Sequence, residues 1–244
     1  MSLMRASTST FIRGLRARPI APYSRQYSKK SSRSIMEDPQ RRLERPAIFV
    51  CDMQEKFRPA IWQFDKILLT AQKVLRAAQI LNIPVYVTTQ NSAKLGATVS
   101  ELADLTESAK VSVDKTAFSM MRVPQIAAQF PAITTNRQRA RQQKHVVIVG
   151  IEAHICVTQT ALDLLEHDHK VYVLADGVSS CNPEEIPVAL ARLRAAGVAV
   201  TTSESWLYEF MGDAGIPEFR NIAGLVKETS ASSKEVLGSL LSRI

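Results

Sequence analysis

The stretch His145-Val-Val-Ile-Val149, continued by Gly-Ile-Glu-Ala-His-Ile-Cys156, decides the fold of this chain. It is the most hydrophobic of several short apolar runs, and a helical pattern from about Val157 to His167 follows it. A strand that is apolar on both faces is buried on both faces, which is typical of a parallel sheet covered by helices. The stretch therefore predicts a central strand and the helix that follows it.

The same alternation of strand and helix extends on both sides of this stretch. Helices are expected at 65–82, 123–130, 204–211 and 218–227, and another is opened by a capping Asn182. The basic segment 134–144 is predicted to be a solvated loop. The six predicted strands are 47–51, 84–88, 110–113, 145–149, 170–174 and 198–201. This order predicts an α/β domain with a doubly wound, mainly parallel six-stranded sheet and helices on both faces.

Composition excludes several classes of protein. The 244 residues are 45% hydrophobic and 22% charged, which is typical of a globular chain. Three cysteines and four histidines, widely scattered, match neither a disulfide framework nor a zinc cluster, so no metal is expected. Glycine motifs for dinucleotides or phosphates are absent, so no cofactor is expected. No window approaches the roughly 20 apolar residues that span a bilayer, so no contact with a membrane is expected.

The net charge of +8 comes from the N-terminus. Eight of the 31 basic residues lie in 1–36, which has no acid, so 23 basic residues face 23 acidic ones in the rest. The segment predicts a mitochondrial transit peptide, cut near Tyr27, and a matrix protein; a disordered basic tail of a cytosolic protein is the alternative. We expect a domain at 37–228 and a C-terminal tail at 229–244. The balanced charge of the domain argues against binding to nucleic acid.

Three reactive side chains stand near predicted strand ends, where this architecture binds ligands. Asp52 follows the first strand, Lys115 the third and Cys156 the fourth. Lysine and a helix start both favour the thiolate form of a cysteine, and a carboxylate can carry its proton. Taken singly, these residues could equally be a turn cap, a surface charge and a buried apolar thiol. His154, two residues before the cysteine, is another candidate base. Cys51 is expected to point into the sheet packing.

Three motifs carry a family resemblance. Asp52-Met-Gln54 is followed by Phe57, Lys115 by Phe118, and Gly150-Ile-Glu-Ala-His-Ile-Cys156 forms a loop. Together they resemble the isochorismatase-like (cysteine hydrolase) family over about residues 47–227. The chain looks most like the isochorismatase domain-containing proteins of eukaryotes.

The resemblance implies roles for these residues. Asp52 would be the general base, Lys115 the cation that holds the thiolate, and Cys156 the nucleophile. A cis peptide is implied between Ile151 and Glu152, with the N–H groups of Glu152 and Cys156 forming an oxyanion hole. The residues implied in substrate binding are Phe57, Gln90 and Phe118.

Departures from the family narrow the expected chemistry. Nicotinamidases of this superfamily carry histidine metal ligands after the second strand, and the matching stretch Thr88–Gly96 has none. Cys156 favours a C–N bond as target over the vinyl ether of isochorismate. We therefore expect a cysteine amidase that cleaves a small amide or ureido-type substrate through a thioester. The alternatives are a hydrolase of a non-amide substrate and a binding or scaffold protein without turnover.

The resemblance also implies assembly, since family members form dimers or higher oligomers. We expect a homo-oligomer, with the segments 206–210 and 216–226 as candidate apolar contact surfaces.

Overall fold

The computed structural model describes residues 41–241, and within them one six-stranded sheet forms the centre. Every strand pair is parallel, and the strand order is β3-β2-β1-β4-β5-β6. The strands are β1 Pro46–Cys51, β2 Val85–Gln90, β3 Val111–Lys115, β4 His145–Ile151, β5 Lys170–Ser179 and β6 Ala199–Thr201. The predicted α/β fold with a parallel sheet is confirmed.

Helices follow the strands as the alternation predicts, and short ones fill the connections. In addition, 3-10 turns lie at Glu55–Phe57, Ser100–Leu102 and Met120–Arg122, and a π-helical turn at Ala153–Val157. The α-helices are α1 Phe64–Leu81, α2 Ser92–Leu95, α3 Ala103–Thr106, α4 Pro124–Ala127, α5 Asn136–Gln142, α6 Thr158–Glu166, α7 Glu185–Ala196, α8 Ser203–Met211, α9 Phe219–Glu228 and α10 Ser230–Leu240. No helix in this described part of the chain is both long and apolar enough to cross a membrane.

The sheet has a separate hydrophobic core on each face. Alternate residues of β1 point to opposite sides, so Ile48 and Val50 join one core while Phe49 and Cys51 join the other. The first core takes its helical side chains from α1, α8, α9 and α10. The second takes them chiefly from α4, α6 and α7. This is the two-sided packing that apolar parallel strands require.

The two central strands lead the chain to opposite faces. β1 is followed by α1 on the first face, and β4 by α6 on the second, so the strand order reverses between them. A crevice opens at the carboxyl ends of strands at such a point. Cys51 pairs there with Gly150, whose φ is +115°. A Cβ on Gly150 would lie 2.1 Å from the Cys51 carbonyl oxygen, so only glycine allows this approach.

Two local predictions are wrong. Residues 134–144, expected as a loop, contain α5, which begins with a capping box between Thr135 and Gln138. Its arginines give it no apolar face, so periodicity could not reveal it. The helix expected to be capped by Asn182 begins at Glu185 instead, after a residue that makes no side-chain cap.

The C-terminal part of the chain also differs from expectation. Residues 229–244, expected as a tail, contain α10, whose Val236 and Leu240 are buried. Trp206 and Phe210, considered for an oligomer contact, are fully buried within the chain, and Ile222 and Leu225 pack in the same core. These four side chains belong to the core, while Tyr208 in the same segment is 40% exposed. The predicted transit peptide at 1–36 lies outside the described residues.

Candidate active site

Asp52, Lys115 and Cys156 come together at the carboxyl ends of the strands. Asp52 follows β1, Lys115 ends β3, and Cys156 lies in the π-helical turn between β4 and α6. Lys115 Nζ donates a hydrogen bond to Asp52 Oδ2 at 2.7 Å and lies 3.9 Å from Cys156 Sγ. As whole residues, Asp52, Lys115 and Cys156 are 1%, 5% and 7% exposed. Cys156 is therefore the most accessible residue of the three.

The carboxylate of Asp52 is held from both sides. Thr88 Oγ1 donates a hydrogen bond to Oδ1 at 2.8 Å, and Lys115 occupies Oδ2. The Asp52 backbone has a φ of +53° and donates its N–H to the Thr88 carbonyl. Aspartate tolerates this left-handed conformation better than most residues. The positive φ ends the regular alternation of β1 and turns the carboxylate toward Lys115 and Thr88.

Lys115 is kept protonated by its surroundings. Burial opposes its charge, but the neighbouring acidic groups, Cys51, Asp52 and Cys156, outweigh burial and raise the pKa of Lys115. Its third contact is Gln90, whose Oε1 accepts a hydrogen bond from Nζ at 2.7 Å. The Gln90 amide nitrogen donates to the Thr116 carbonyl at 2.8 Å. Gln90, predicted to bind substrate, thus holds the lysine in this structure.

Gln54 shows why the opening motif contains a glutamine. The residue is fully buried, and its Nε2 donates hydrogen bonds to the carbonyls of Gln90 at 3.1 Å and Gly96 at 2.7 Å. Its Oε1 accepts the backbone N–H of Gln90 at 2.6 Å. Gln54 therefore fixes the connection after β2, and with it the residue that holds Lys115.

Cys51 is a member of this cluster that sequence analysis missed. It is fully buried in the second core, as predicted, but its Sγ also lies 3.6 Å from Asp52 Oδ2. Burial, the neighbouring Cys156 and the charge of Asp52 raise the pKa of Cys51 well above its ordinary value. Alternation along β1 suggested opposite faces for Cys51 and Asp52, and the positive φ of Asp52 removes that separation.

Hydrogen bonds hold the loop that carries Cys156 in place. Its Ile151–Glu152 peptide bond is cis, as the resemblance implies. The Glu152 carbonyl accepts the N–H of Val157 at 3.1 Å, and the Ala153 carbonyl accepts the hydroxyl of Thr158 at 2.6 Å. The Glu152 carboxylate accepts the backbone N–H of Cys181 at 2.8 Å.

The remaining predicted site residues are more accessible. Phe118, in the connection after Lys115, is 51% exposed, and Phe57 is half-buried in the turn after Gln54. The candidate base His154 has its Nδ1 2.9 Å from Ser180 Oγ, a partner outside the cluster. Within residues 41–241, no group of three or more His, Cys, Asp or Glu side chains is placed to hold a metal ion.

Comparison with known proteins identifies the family. The model of the isochorismatase domain matches residues 46–205, which include all three clustered side chains. The chain belongs to the isochorismatase family. This membership confirms the resemblance read from the sequence.

Relatives from distant eukaryotes share this domain. The secreted isochorismatase effector Isc1 of Phytophthora sojae is 42% identical over 74% of this chain and 84% of its own length. Isochorismatase domain-containing protein 2 of Homo sapiens is 39% identical over 76% of this chain and 85% of its own length. Isochorismatase domain-containing protein 1 of Danio rerio is 41% identical over 76% of this chain. The match spans only 62% of that relative's length.

Solved structures agree on the fold. The MAR1 ribonuclease of Caenorhabditis elegans has a TM-score of 0.65 and 36% identity, over 75% of this chain and 89% of that one. YcaC of Escherichia coli, described as an octameric hydrolase of unknown specificity, has a TM-score of 0.65 and 20% identity, over 87% of this chain and 98% of that one. At that identity YcaC shows the fold alone.

Proposed function

We propose that this protein is a cysteine amidase that cleaves the C–N bond of a small amide or ureido-type substrate through a thioester. The observation that carries the proposal is the hydrogen-bonded cluster of Asp52, Lys115 and Cys156, in which Cys156 is the most accessible residue. A carboxylate, a cation and a thiol at this spacing supply a base, a charge partner and a nucleophile.

The proposed reaction has two halves. Cys156 Sγ attacks the substrate carbonyl carbon, and its proton passes to Asp52. The N–H groups of Glu152 and Cys156 hold the oxyanion. Asp52 then delivers the proton to the departing nitrogen, the C–N bond breaks, and an amine or ammonia leaves. Water attacks the thioester carbonyl carbon while Asp52 takes one of its protons. The C–S bond then breaks, the carboxylic acid leaves, and Asp52 returns the proton to Cys156.

Lys115 has the same task in both halves. Its ammonium lies 2.7 Å from Asp52 Oδ2 and 3.9 Å from Cys156 Sγ, so it stabilises negative charge on either group as the proton moves. The contact with Gln90 keeps the ammonium in that position.

Burial of the cluster favours a small substrate. Asp52 and Lys115 are almost fully covered, so a ligand reaches the cluster through the exposed side of Cys156. Phe57 and Phe118 are proposed to flank the entering group, and the exposed ring of Phe118 favours an apolar contact.

A screen of small amides and ureido compounds for release of ammonia tests the proposal. We expect turnover by the wild-type protein, none by Cys156→Ala, and wild-type turnover by the control Cys181→Ala, since Cys181 is exposed. In parallel, iodoacetamide should label Cys156 faster than Cys51 or Cys181, and Lys115→Ala should slow that labelling. Equal labelling of the three thiols, without turnover, would leave the scaffold role as the better account.

Ribonuclease activity is a second candidate, favoured by the name of the C. elegans structure. Against it stands the balanced charge of residues 37–244, which gives no electrostatic attraction for a phosphate backbone. Incubation of labelled RNA with the wild-type and Cys156→Ala proteins separates the candidates. Cleavage that Cys156→Ala lacks would support this second activity.

We also propose import into the mitochondrial matrix with removal of about 27 residues, as basic presequences are cleaved. The acid-free composition of 1–36 supports this. N-terminal sequencing of the endogenous protein tests it, and an intact Met1 would contradict it.

Homo-oligomer formation is proposed from the family, in which YcaC is described as octameric. Light scattering at micromolar concentration should give a multiple of the chain mass, and a monomeric mass would contradict the proposal.

A further inference from the structure

The cluster contains two thiols, and the proposed reaction uses one of them. Cys51 ends β1, Cys156 lies in the π-helical turn that follows the neighbouring strand β4, and both residues belong to the second core. Cys51 Sγ also lies 3.6 Å from Asp52 Oδ2, while Cys156 Sγ lies 3.9 Å from Lys115 Nζ. Each sulfur therefore contacts one member of the same ion pair.

We propose that Cys51 and Cys156 form a site of reversible oxidation, in which a hydroperoxide oxidises Cys156 and Cys51 closes a disulfide with it. This inference goes beyond the proposed function, because it depends on the adjacent thiols and does not require turnover.

Exposure decides which thiol reacts first. Cys51 is fully buried, while Cys156 keeps 7% of its surface and has a lysine ammonium beside it. A nearby cation favours the thiolate form, which is the form that peroxides oxidise. Cys51 is out of reach of the oxidant and stays available as a thiol.

The first step is oxidation of Cys156 by two electrons. Its sulfur attacks one oxygen of hydrogen peroxide, and the O–O bond breaks. The second oxygen leaves as water with the thiol proton, and Cys156 becomes a sulfenic acid.

The second step uses the contact between Cys51 and Asp52. Cys51 gives its proton to Asp52 Oδ2, and its sulfur attacks Cys156 Sγ. The S–O bond breaks, and the departing hydroxide takes that proton and leaves as water. Overall, two thiols and one peroxide give a disulfide and two waters.

Disulfide formation requires the two side chains to move. A disulfide is about 2.05 Å long, so the sulfurs, which contact the two members of one ion pair, must approach by side-chain rotation. Cys51 pairs with Gly150, which opens the loop that carries Cys156. The product would withhold the nucleophile and protect Cys156 from irreversible oxidation to sulfinic acid.

Thiol counting on the full-length protein tests the proposal. After one equivalent of hydrogen peroxide and denaturation, the free thiols of the wild-type protein should fall from three to one, and dithiothreitol should restore them. Digestion without reductant should yield a peptide pair joined through Cys51 and Cys156. The control Cys181→Ser should lose both of its thiols in the same way.

Removal of Cys51 gives the complementary result. Cys51→Ala should form a dimedone-reactive sulfenic acid and then a sulfinic acid that dithiothreitol does not reduce. Circular dichroism checks that this variant folds, and the joined peptide of the wild-type protein decides the question if it does not. Sulfinic acid at Cys156 in the wild-type protein without a disulfide, or a disulfide through Cys181, would overturn the proposal.

Discussion

Asp52 and Asp176 are carboxylates of nearly equal burial, with 1% and 3% of their surface exposed, and their partners differ. Asp52 accepts hydrogen bonds from a lysine ammonium and from the Thr88 hydroxyl. Asp176, in β5, accepts both of its side-chain hydrogen bonds from Ser203, through the backbone N–H at 2.8 Å and through Oγ. Ser203 is the first residue of α8, so Asp176 caps a helix.

A buried lysine lies near each carboxylate, and the two lysines differ in the same way. Neighbouring acidic groups outweigh burial at Lys115 and raise its pKa. Burial dominates at Lys73 in α1, so its pKa is lowered, and its Nζ donates to Ser233 Oγ at 3.0 Å. Burial also raises the pKa of Asp176. The region of Asp52 thus keeps an ion pair beside a thiol. In the region of Asp176, burial shifts the pKa of the carboxyl and of Lys73 in the direction that favours their neutral forms. Burial of a carboxylate alone therefore does not indicate catalysis.

The largest difference is expected from replacing each carboxylate by its amide. Asp52→Asn should lower turnover by about 10² to 10⁴-fold, because the amide cannot carry the proton to the leaving group. Asp176→Asn should stay near the wild-type rate, since Asp176 contacts α8 and not the thiol. Steady-state release of ammonia measures both. Equal losses in the two variants would show that burial, and not the partner, sets the role.

Replacement of the lysines compares the two regions in stability. Lys115→Met leaves the Asp52 carboxylate buried without a cation, which should cost about 3–5 kcal/mol in the free energy of unfolding. Lys73→Met removes a charge that burial already disfavours, so its cost should stay within about 1 kcal/mol. Urea unfolding monitored by circular dichroism gives both values. A larger cost for Lys73→Met would reverse the comparison.

Removing the hydroxyl group that donates to each carboxylate should give a smaller difference in stability. Thr88→Val deletes a bond to a charged acceptor and should cost about 1.5–3 kcal/mol. Ser203→Ala should cost about 1 kcal/mol, because the Ser203 backbone N–H still bonds to Asp176. The same urea experiment measures both, and identical costs would count against the distinction.

The smallest expected effect is the change of unfolding free energy with pH that Asp176 causes. Its pKa is raised above the ordinary 3.8, so the folded protein retains a proton that the unfolded chain has already lost. The stability from this group is therefore full below about pH 3.8 and is lost as pH rises through the folded pKa. Asp176→Asn cannot lose stability in this way. The free energy of unfolding of the variant should therefore rise relative to that of the wild type as pH increases. Unfolding between pH 4 and 7 measures the shift, and a shift toward the wild type would contradict the assignment.

Much of the fold was predictable, because apolar strands and amphipathic helices are themselves the cause of the packing. The capping box of Thr135 and Gln138 could have predicted α5, which hydrophobic periodicity does not reveal. Sequence motifs located Asp52, Lys115 and Cys156 at strand ends. The place of Cys51 beside them was not predictable, since it depends on the positive φ of Asp52, which no pattern of residue types records.

The position of Lys115 at the end of β3 links the site to motions of the sheet edge. Within residues 41–241, β3 is five residues long and pairs only with β2, while Asp52 and Cys156 adjoin the two central strands. Edge strands open locally at lower free energy than a buried sheet centre does. Each opening of β3 would withdraw the ammonium while the carboxylate and the thiols stay in place. Amide hydrogen exchange along Val111–Lys115 would therefore report how often Lys115 leaves its place beside Asp52 and Cys156.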